Sequence, residues 1–436
     1  MIGQAEVRAP TWGVYADLKR HLSVADLKAS AAATAAVGGA VKPVVEMAFR
    51  AKEHREQQPR QSVPTTQTVL LLYQPRTRYA LTPKHDTPSL HFEDEVLVKV
   101  QAVGLNPIDW KAPDFGFGIP TLPYISGRDF VGTVVHAHPS SPFQPSDLVL
   151  AVSTDYRDVR KSAFQQYAVA HTFNICRVPA NIAPSAGASL GVAFVAAALS
   201  LGICFGVDFS PSGGPDYFSL ARSVPAAALP PDVLHEAHAG VAPAERARPG
   251  DWVALWGGSS TTSLYVLQLA RLAGLRVVAV GDVAKHGARL VERGAALWVD
   301  SHDPARAVEI IRGVTGGRLR FAVDTAGRES AARLVEALDV DGARREGARA
   351  HLVGLAANPK EKRDGLAMHA VPIKLFHEVP AVGRGTMAWL ERLLAEGLLT
   401  PPEVVVEKSG LAGVNAALDR MRRGEISGQR LVVELD

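Results

Sequence analysis

Two cysteines in 436 residues, Cys176 and Cys204, are too few for a disulfide framework or a four-cysteine zinc lobe. Such scarcity fits a reducing compartment. Net charge is also slight, at +3, and gives no ground for a nucleic-acid partner. Long apolar runs are missing. The best candidate, residues 31–41, is mostly alanine and glycine, well short of the ~18 residues a membrane span needs. No long apolar stretch follows a basic start, as a secretory signal requires. Glu6, Asp17, Asp26 and Glu46 spoil the acid-poor composition of a mitochondrial presequence. The expectation is a cytoplasmic protein with no membrane and no nucleic acid among its partners. What is present, 47% hydrophobic and 21% charged residues, fits a soluble globular enzyme of two domains or more.

The texture changes along the chain. Residues 1–66 read as an N-terminal extension and linker, with helical patterns at 12–27 and 44–55. From Gln67 short apolar runs separated by Pro, Asp and Gly predict strands at 68–73, 95–102, 130–136, 148–152 and 164–169. Their spacing suggests a small barrel-like domain. Residues 183–205 are small and apolar and predict a buried helix. The Pro- and Gly-rich stretch at about 207–248 reads as a loose insertion, the kind of segment that forms a lid or stays disordered.

Next comes WVALWGGSSTTSLYVLQLARLAGLRVVAVG, residues 252–281. An apolar run enters a turn of small residues, a helical pattern follows, and a second apolar run closes the unit. This is the first strand–turn–helix–strand of a dinucleotide-binding sheet. Gly257, Gly258, Ser259, Ser260, Thr261 and Thr262 let the backbone approach a pyrophosphate and offer hydroxyls and N–H groups to it. Gly258, Ser260 and Ser263 hold the G-x-G-x-x-G spacing, so two of its three glycines are serines. Strands and helices then alternate to Leu355, which implies a parallel sheet. Its ligand crevice would lie at the strand ends Trp256, Gly281, Asp300, Asp324 and Gly354.

VGLNPIDWK (103–111), SGRDFVGTVV (126–135) and the closing SGLAGVNAALDRMRRGEISGQRLVVEL (409–435) resemble the medium-chain dehydrogenase/reductase superfamily. Asn106 to Lys111 and the Gly-Gly-Ser turn look most like its stand-alone enoyl reductases that act in trans on fungal polyketide synthases. The resemblance implies an α/β fold in which a GroES-like β-barrel catalytic domain is interrupted by a Rossmann cofactor domain. The expected boundaries are 67–193 and 373–436 for the catalytic parts and 194–372 for the Rossmann domain. It also implies NADPH and hydride transfer to an activated C=C bond of a small-molecule or carrier-protein-tethered acyl substrate.

Zinc is not expected. Where zinc enzymes of this superfamily carry a cysteine, this chain has Asn106, and their His-Glu pair falls on Arg128 and Asp129. That set lacks the three ligands of a catalytic zinc. Reduction of an enoyl thioester or enone then needs another group to stabilise the developing enolate. Lys111 is the cation the motif supplies. The resemblance places Ile108, Asp109, Trp110 and Lys111 at the cofactor, with Asp300, Gly354, Leu355, Ile426 and Ser427 as further contacts. Ala197, Ala198, Leu201 and Cys204 would border the substrate. One departure stands out: Ala196 occupies the position of a threonine that related reductases carry by the nicotinamide.

Cofactor choice turns on the segment after the second strand. Asp282 can accept from an adenosine ribose and repels a 2′-phosphate, favouring NADH. Lys285, His286 and Arg289 favour the phosphate. In the resembling reductases the stretch matching Val283 to His286 holds that phosphate, and NADPH is preferred. Two other readings stay open: a quinone oxidoreductase, and a degenerate homologue serving as a non-redox catalyst or binding protein.

Overall fold

The computed structural model describes residues 62–435. The helices expected at 12–27 and 44–55 lie outside them. Strand alternation sets up the first half. In β3 (Glu95–Gly104) Val96, Val98 and Val100 are buried, while Lys99 and Gln101 reach outward. Seven more strands precede residue 178: β1 (Thr66–Leu72), β2 (Ala80–Asp86), β4 (Tyr124–Ile125), β5 (Asp129–Ala137), β6 (Leu148–Val152), β7 (Tyr167–His171) and β8 (Ile175–Arg177). β3 is the hub, with β5 and β7 both antiparallel to it. Leu70, Val98, Phe130, Val134 and Phe164 fill the barrel interior.

A parallel sheet follows: β9 (Trp252–Trp256), β10 (Arg276–Gly281), β11 (Leu297–Asp300), β12 (Phe321–Asp324), β13 (Ala350–Gly354) and β14 (Leu366–His369). Its order is β11-β10-β9-β12-β13-β14. The chain walks one way from β9, then jumps back across it, so the topological switch point is at the carboxyl end of β9. Both faces are buried, which is why β9, β10 and β12 read as unbroken apolar runs.

The chain then returns to the barrel. β15 (Glu403–Glu407) pairs parallel with β16 (Gln429–Glu434), and β16 lies antiparallel to β3, with Val432 opposite Gly104. The last strand thus carries its residues to the rim where both sheets meet. β14 and β2 had no sequence signal. β2 is an edge strand with exposed Leu81 and Lys84 and little apolar pattern.

The stretch at 207–248 is not a loose lid. It holds helices Tyr217–Ser223 and Pro231–His238. Phe209 and Tyr217 are fully buried, and Phe209 packs on Trp389 with ring centroids 4.7 Å apart. The Tyr217 hydroxyl meets Thr386 Oγ1 at 2.9 Å. Each such aromatic contributes roughly 1.5–3 kcal/mol by burial. Its prolines sit at helix starts, Pro231 among them, where a missing N–H costs nothing.

Candidate functional site

The cleft at the switch point is built by three segments. Gly257 leaves β9 at φ +82, a backbone that favours glycine, and a Cβ there would strike Thr325 Oγ1. At Gly258 a Cβ would crowd Leu290 at 3.1 Å. Ser260 caps the helix Thr261–Leu272, its Oγ accepting from Ser263 N at 3.1 Å. Thr325, at the end of β12, ties the turn together. Its Oγ1 donates to Gly257 O at 3.0 Å and lies 3.0 Å from both Ser260 Oγ and Ser263 Oγ. The third segment is Ile426 to Leu431, entering β16. Together with Leu105 and Pro107 these residues enclose about 310 Å³.

Thr325 and Arg430 were not singled out from sequence. Thr325 had one weak signal, its place at a strand end. Arg430 had none, since a lone cation beside an apolar strand reads as a solvated residue. Yet it is 4% exposed and reaches the junction of barrel and cleft. One nitrogen, Nη2, donates to Asp129 Oδ2 at 2.8 Å and to Asn106 Oδ1 at 2.7 Å. Asn106 Nδ2 also donates to Asp129 Oδ2 at 2.9 Å, and Val192 N to Asp129 Oδ1 at 2.8 Å. Burial lifts the Asp129 carboxyl above its ordinary range, opposed first by Arg430. Arg430 Nε is buried with no partner.

Asp109 sits in the first turn of the helix Pro107–Phe115 and accepts from Asn106 N at 2.7 Å. It is fully buried, and that burial raises its carboxyl from 3.8 to about 6. Its role is to cap the loop. Ile108 and Trp110 are half-buried on the same turn. Lys111 is half-buried too, its Nζ 5.5 Å from the Trp110 ring centroid, and it does not line the cleft. Arg128 is buried, stacked 3.7 Å over Tyr156 and bonded to the Tyr124 hydroxyl.

After β10, Asp282 caps the helix Val283–Glu292 by accepting from Lys285 N at 3.0 Å. Asp300 accepts from Val283 N at 3.3 Å and from His302. His286 and Arg289, expected near a phosphate, both have partners within the chain. His286 is buried against Ser427 Oγ at 3.0 Å, and burial holds its ring below the usual pKa, so it stays neutral. Arg289 pairs with Glu403 at 2.7 Å. Lys285 alone of the three is exposed. Thr262 follows Thr261 in the helix without lining the cleft. Gly354 and Leu355 also stand outside it, with Leu355 N donating to Asp324 O at 2.8 Å.

The residues expected to border the substrate lie in the core. Ala197, Ala198, Leu201 and Cys204 are all fully buried in the main core. Ala197 and Ala198 lie on the helix Gly191–Leu199, which packs on Thr261–Leu272 with Phe194 and Tyr265 centroids 6.0 Å apart, and Leu201 and Cys204 lie on the π-helical turn Ser200–Cys204 that follows. Small side chains let the helices approach closely. Ala196, on the same helix, is 8% exposed.

The family model for the alcohol dehydrogenase GroES-like domain matches residues 93–184. That barrel is interrupted by a switch-point sheet and closed by β16. In this arrangement the chain is similar to the medium-chain dehydrogenase/reductase superfamily. It is 27% identical over 402 residues to a trans-enoyl reductase of Penicillium oxalicum, covering 86% of this chain and 94% of that one. With a trans-enoyl reductase of Thermothelomyces thermophilus it shares 28% over 407 residues, covering 85% and 98%. Among solved structures, the CurK enoyl reductase aligns at TM-score 0.62 and 15% identity, over 85% of this chain and all of that one. Escherichia coli quinone oxidoreductase complexed with NADPH aligns at TM-score 0.60 and 15% identity, over 85% and 99%. These structures share the fold of this chain. Among the described residues, no helix is long and apolar enough to cross a membrane.

Proposed function

We propose that this oxidoreductase reduces the activated C=C bond of an α,β-unsaturated thioester, with NADPH as reductant and a polyketide synthase presenting the acyl chain. The observation that carries the reading is the Gly257–Thr261 cradle at the switch point, roofed by Ile426 to Arg430 from the catalytic half. Glycine at 257 and 258 keeps the turn tight against Thr325 and Leu290, and a turn of small residues at a helix start suits a pyrophosphate. Lys285, exposed in the first turn of the helix after β10, is the residue assigned to a 2′-phosphate. When bound, NADPH supplies the hydride delivered to the β-carbon. Negative charge then gathers on the thioester oxygen, and a proton completes the product at the α-carbon. Lys111 is the cation assigned to that oxygen, one helical turn from cleft-lining Pro107. The names of the curated relatives support this substrate class.

The donors around Asn106 support chemistry without zinc at that position. Asn106 and Arg430 already saturate one oxygen of Asp129, Asp109 is spent on Asn106 N, and Arg128 repels a cation. The working location is the cytoplasm.

The test is stopped-flow loss of NADPH absorbance on mixing with enoyl thioesters of graded length, with and without a carrier protein. Consumption of one NADPH per double bond supports the reading. Turnover of quinones alone would replace it with a quinone reductase. Lys111 lodged against Trp110 favours a non-redox homologue instead, which would bind NADPH and never oxidise it.

A further inference from the structure

We propose that Cys204, Glu236 and His369 form a zinc site, separate from the cofactor cleft, that pins the 205–247 segment to the parallel sheet. Their ligand atoms all lie within 4.8 Å of one another. The three are 0%, 7% and 1% exposed. They come from three elements: the π-helical turn Ser200–Cys204, the helix Pro231–His238 and the end of β14. A thiolate, a carboxylate and an imidazole are the ligands a borderline-soft divalent ion takes. Two negative charges against Zn2+ leave the buried group neutral, the condition for burial at low cost.

The surroundings match a ligand site as well. His369 Nδ1 faces Glu236 Oε2 at 2.7 Å, and its other nitrogen meets His351 Nδ1 at 3.0 Å. His351 is fully buried and its Nε2 has no hydrogen-bond partner, 3.6 Å from Glu245 Oε2. Arg349 holds Glu245 through two nitrogens, at 2.6 and 2.9 Å. This chain of outer partners is what fixes the ring of a metal-bound histidine. Glu236 Oε1 is itself oriented by Ala370 N at 3.1 Å. A cavity of about 410 Å³ reaches Glu236 and His369 from outside, giving an entry path and room for a fourth ligand, water. Binding releases the Cys204 thiol proton, while neutral His369 keeps its one ring proton on the nitrogen that does not meet the metal. No electron moves.

The experiment uses the full chain, stripped with a chelator and dialysed. Zn2+ is titrated against a chromophoric chelator, and Co2+ is added to a second sample. The expected result is one tight Zn2+ per chain, a thiolate-to-cobalt charge-transfer band, and a raised Tm with Zn2+. Cys204→Ala abolishes the cobalt band, and Glu236→Gln, which keeps the shape and an acceptor, weakens binding at least tenfold. Cys176→Ser leaves both unchanged. Far-UV circular dichroism checks that each variant folds. No stoichiometric metal in the folded wild type overturns the proposal. So does a cobalt band that survives Cys204→Ala, or binding lost instead on Asp300→Asn, which belongs to the exposed Asp282–Asp300–His302 group. The NADPH titration is independent of these readouts, so failure of the metal site leaves the reductase reading intact.

Discussion

Arg430 Nη2 lies 2.8 Å from Asp129 Oδ2, and both side chains are buried. The pair bolts the last strand to the barrel at the mouth of the cofactor cleft. Removing one partner of a buried ion pair strands the other charge, at a cost of about 3–5 kcal/mol. Arg430→Met is therefore expected to lower the urea midpoint strongly and to weaken NADPH binding. Arg430→Lys should recover much of the loss, because both bonds leave from a single nitrogen that an ammonium can replace. Equal loss in the two variants would refute this account.

The phosphate turn makes a second prediction. Thr325→Val removes the hydroxyl that joins Gly257, Ser260 and Ser263. Stranding those groups costs about 1–3 kcal/mol. NADPH affinity, measured by calorimetry, should fall by about tenfold or more, since 1.4 kcal/mol is a factor of ten. Unchanged affinity would mean that the cradle is not where the pyrophosphate sits.

Cofactor discrimination should reside in Lys285. One charge-assisted hydrogen bond is worth about 1.5–3 kcal/mol. Lys285→Ala is expected to weaken NADPH by roughly 10- to 100-fold while leaving NADH alone. His286→Gln should leave the NADPH/NADH ratio untouched, because that ring is spent on Ser427. A ratio that moves with His286 and not Lys285 would reverse the assignment.

Asp109 supplies a pH signature. Its folded carboxyl sits at about 6 against 3.8, so the native chain keeps a proton that the unfolded chain has lost. Its contribution is present in full below the unfolded value and is lost as pH rises through the folded one. Asp109→Asn keeps an acceptor for Asn106 N and has no proton to lose. Between about pH 4 and 6 the variant should gain up to about 3 kcal/mol relative to wild type. Thermal melts of the two proteins across that window give the answer, and parallel Tm curves would count against it.

Periodicity made much of this fold readable. β3 alternates because one face meets the barrel core, and β9, β10 and β12 run apolar because both faces are covered. The Gly257–Thr261 turn announces itself locally, because a strand, a tight turn and a helix start are contiguous. The 207–248 stretch misled because proline at a helix start looks the same in sequence as proline in a loop. Sequence places His286 and Arg289 beside Lys285, while the helix turns them toward Ser427 and Glu403, partners no local pattern announces.

By itself the sequence determined most strands and helices of the parallel sheet and the small-residue turn after β9, since each depends on residues a few positions apart. Only the tertiary structure decided which charges are spent and which are free. Arg430 finds Asp129, and Cys204 finds Glu236 and His369, through chain crossings that no local pattern encodes. Pairing across such distances is fixed by how the sheets and helices pack, because burial forces each polar group to find a partner there or lose its solvation.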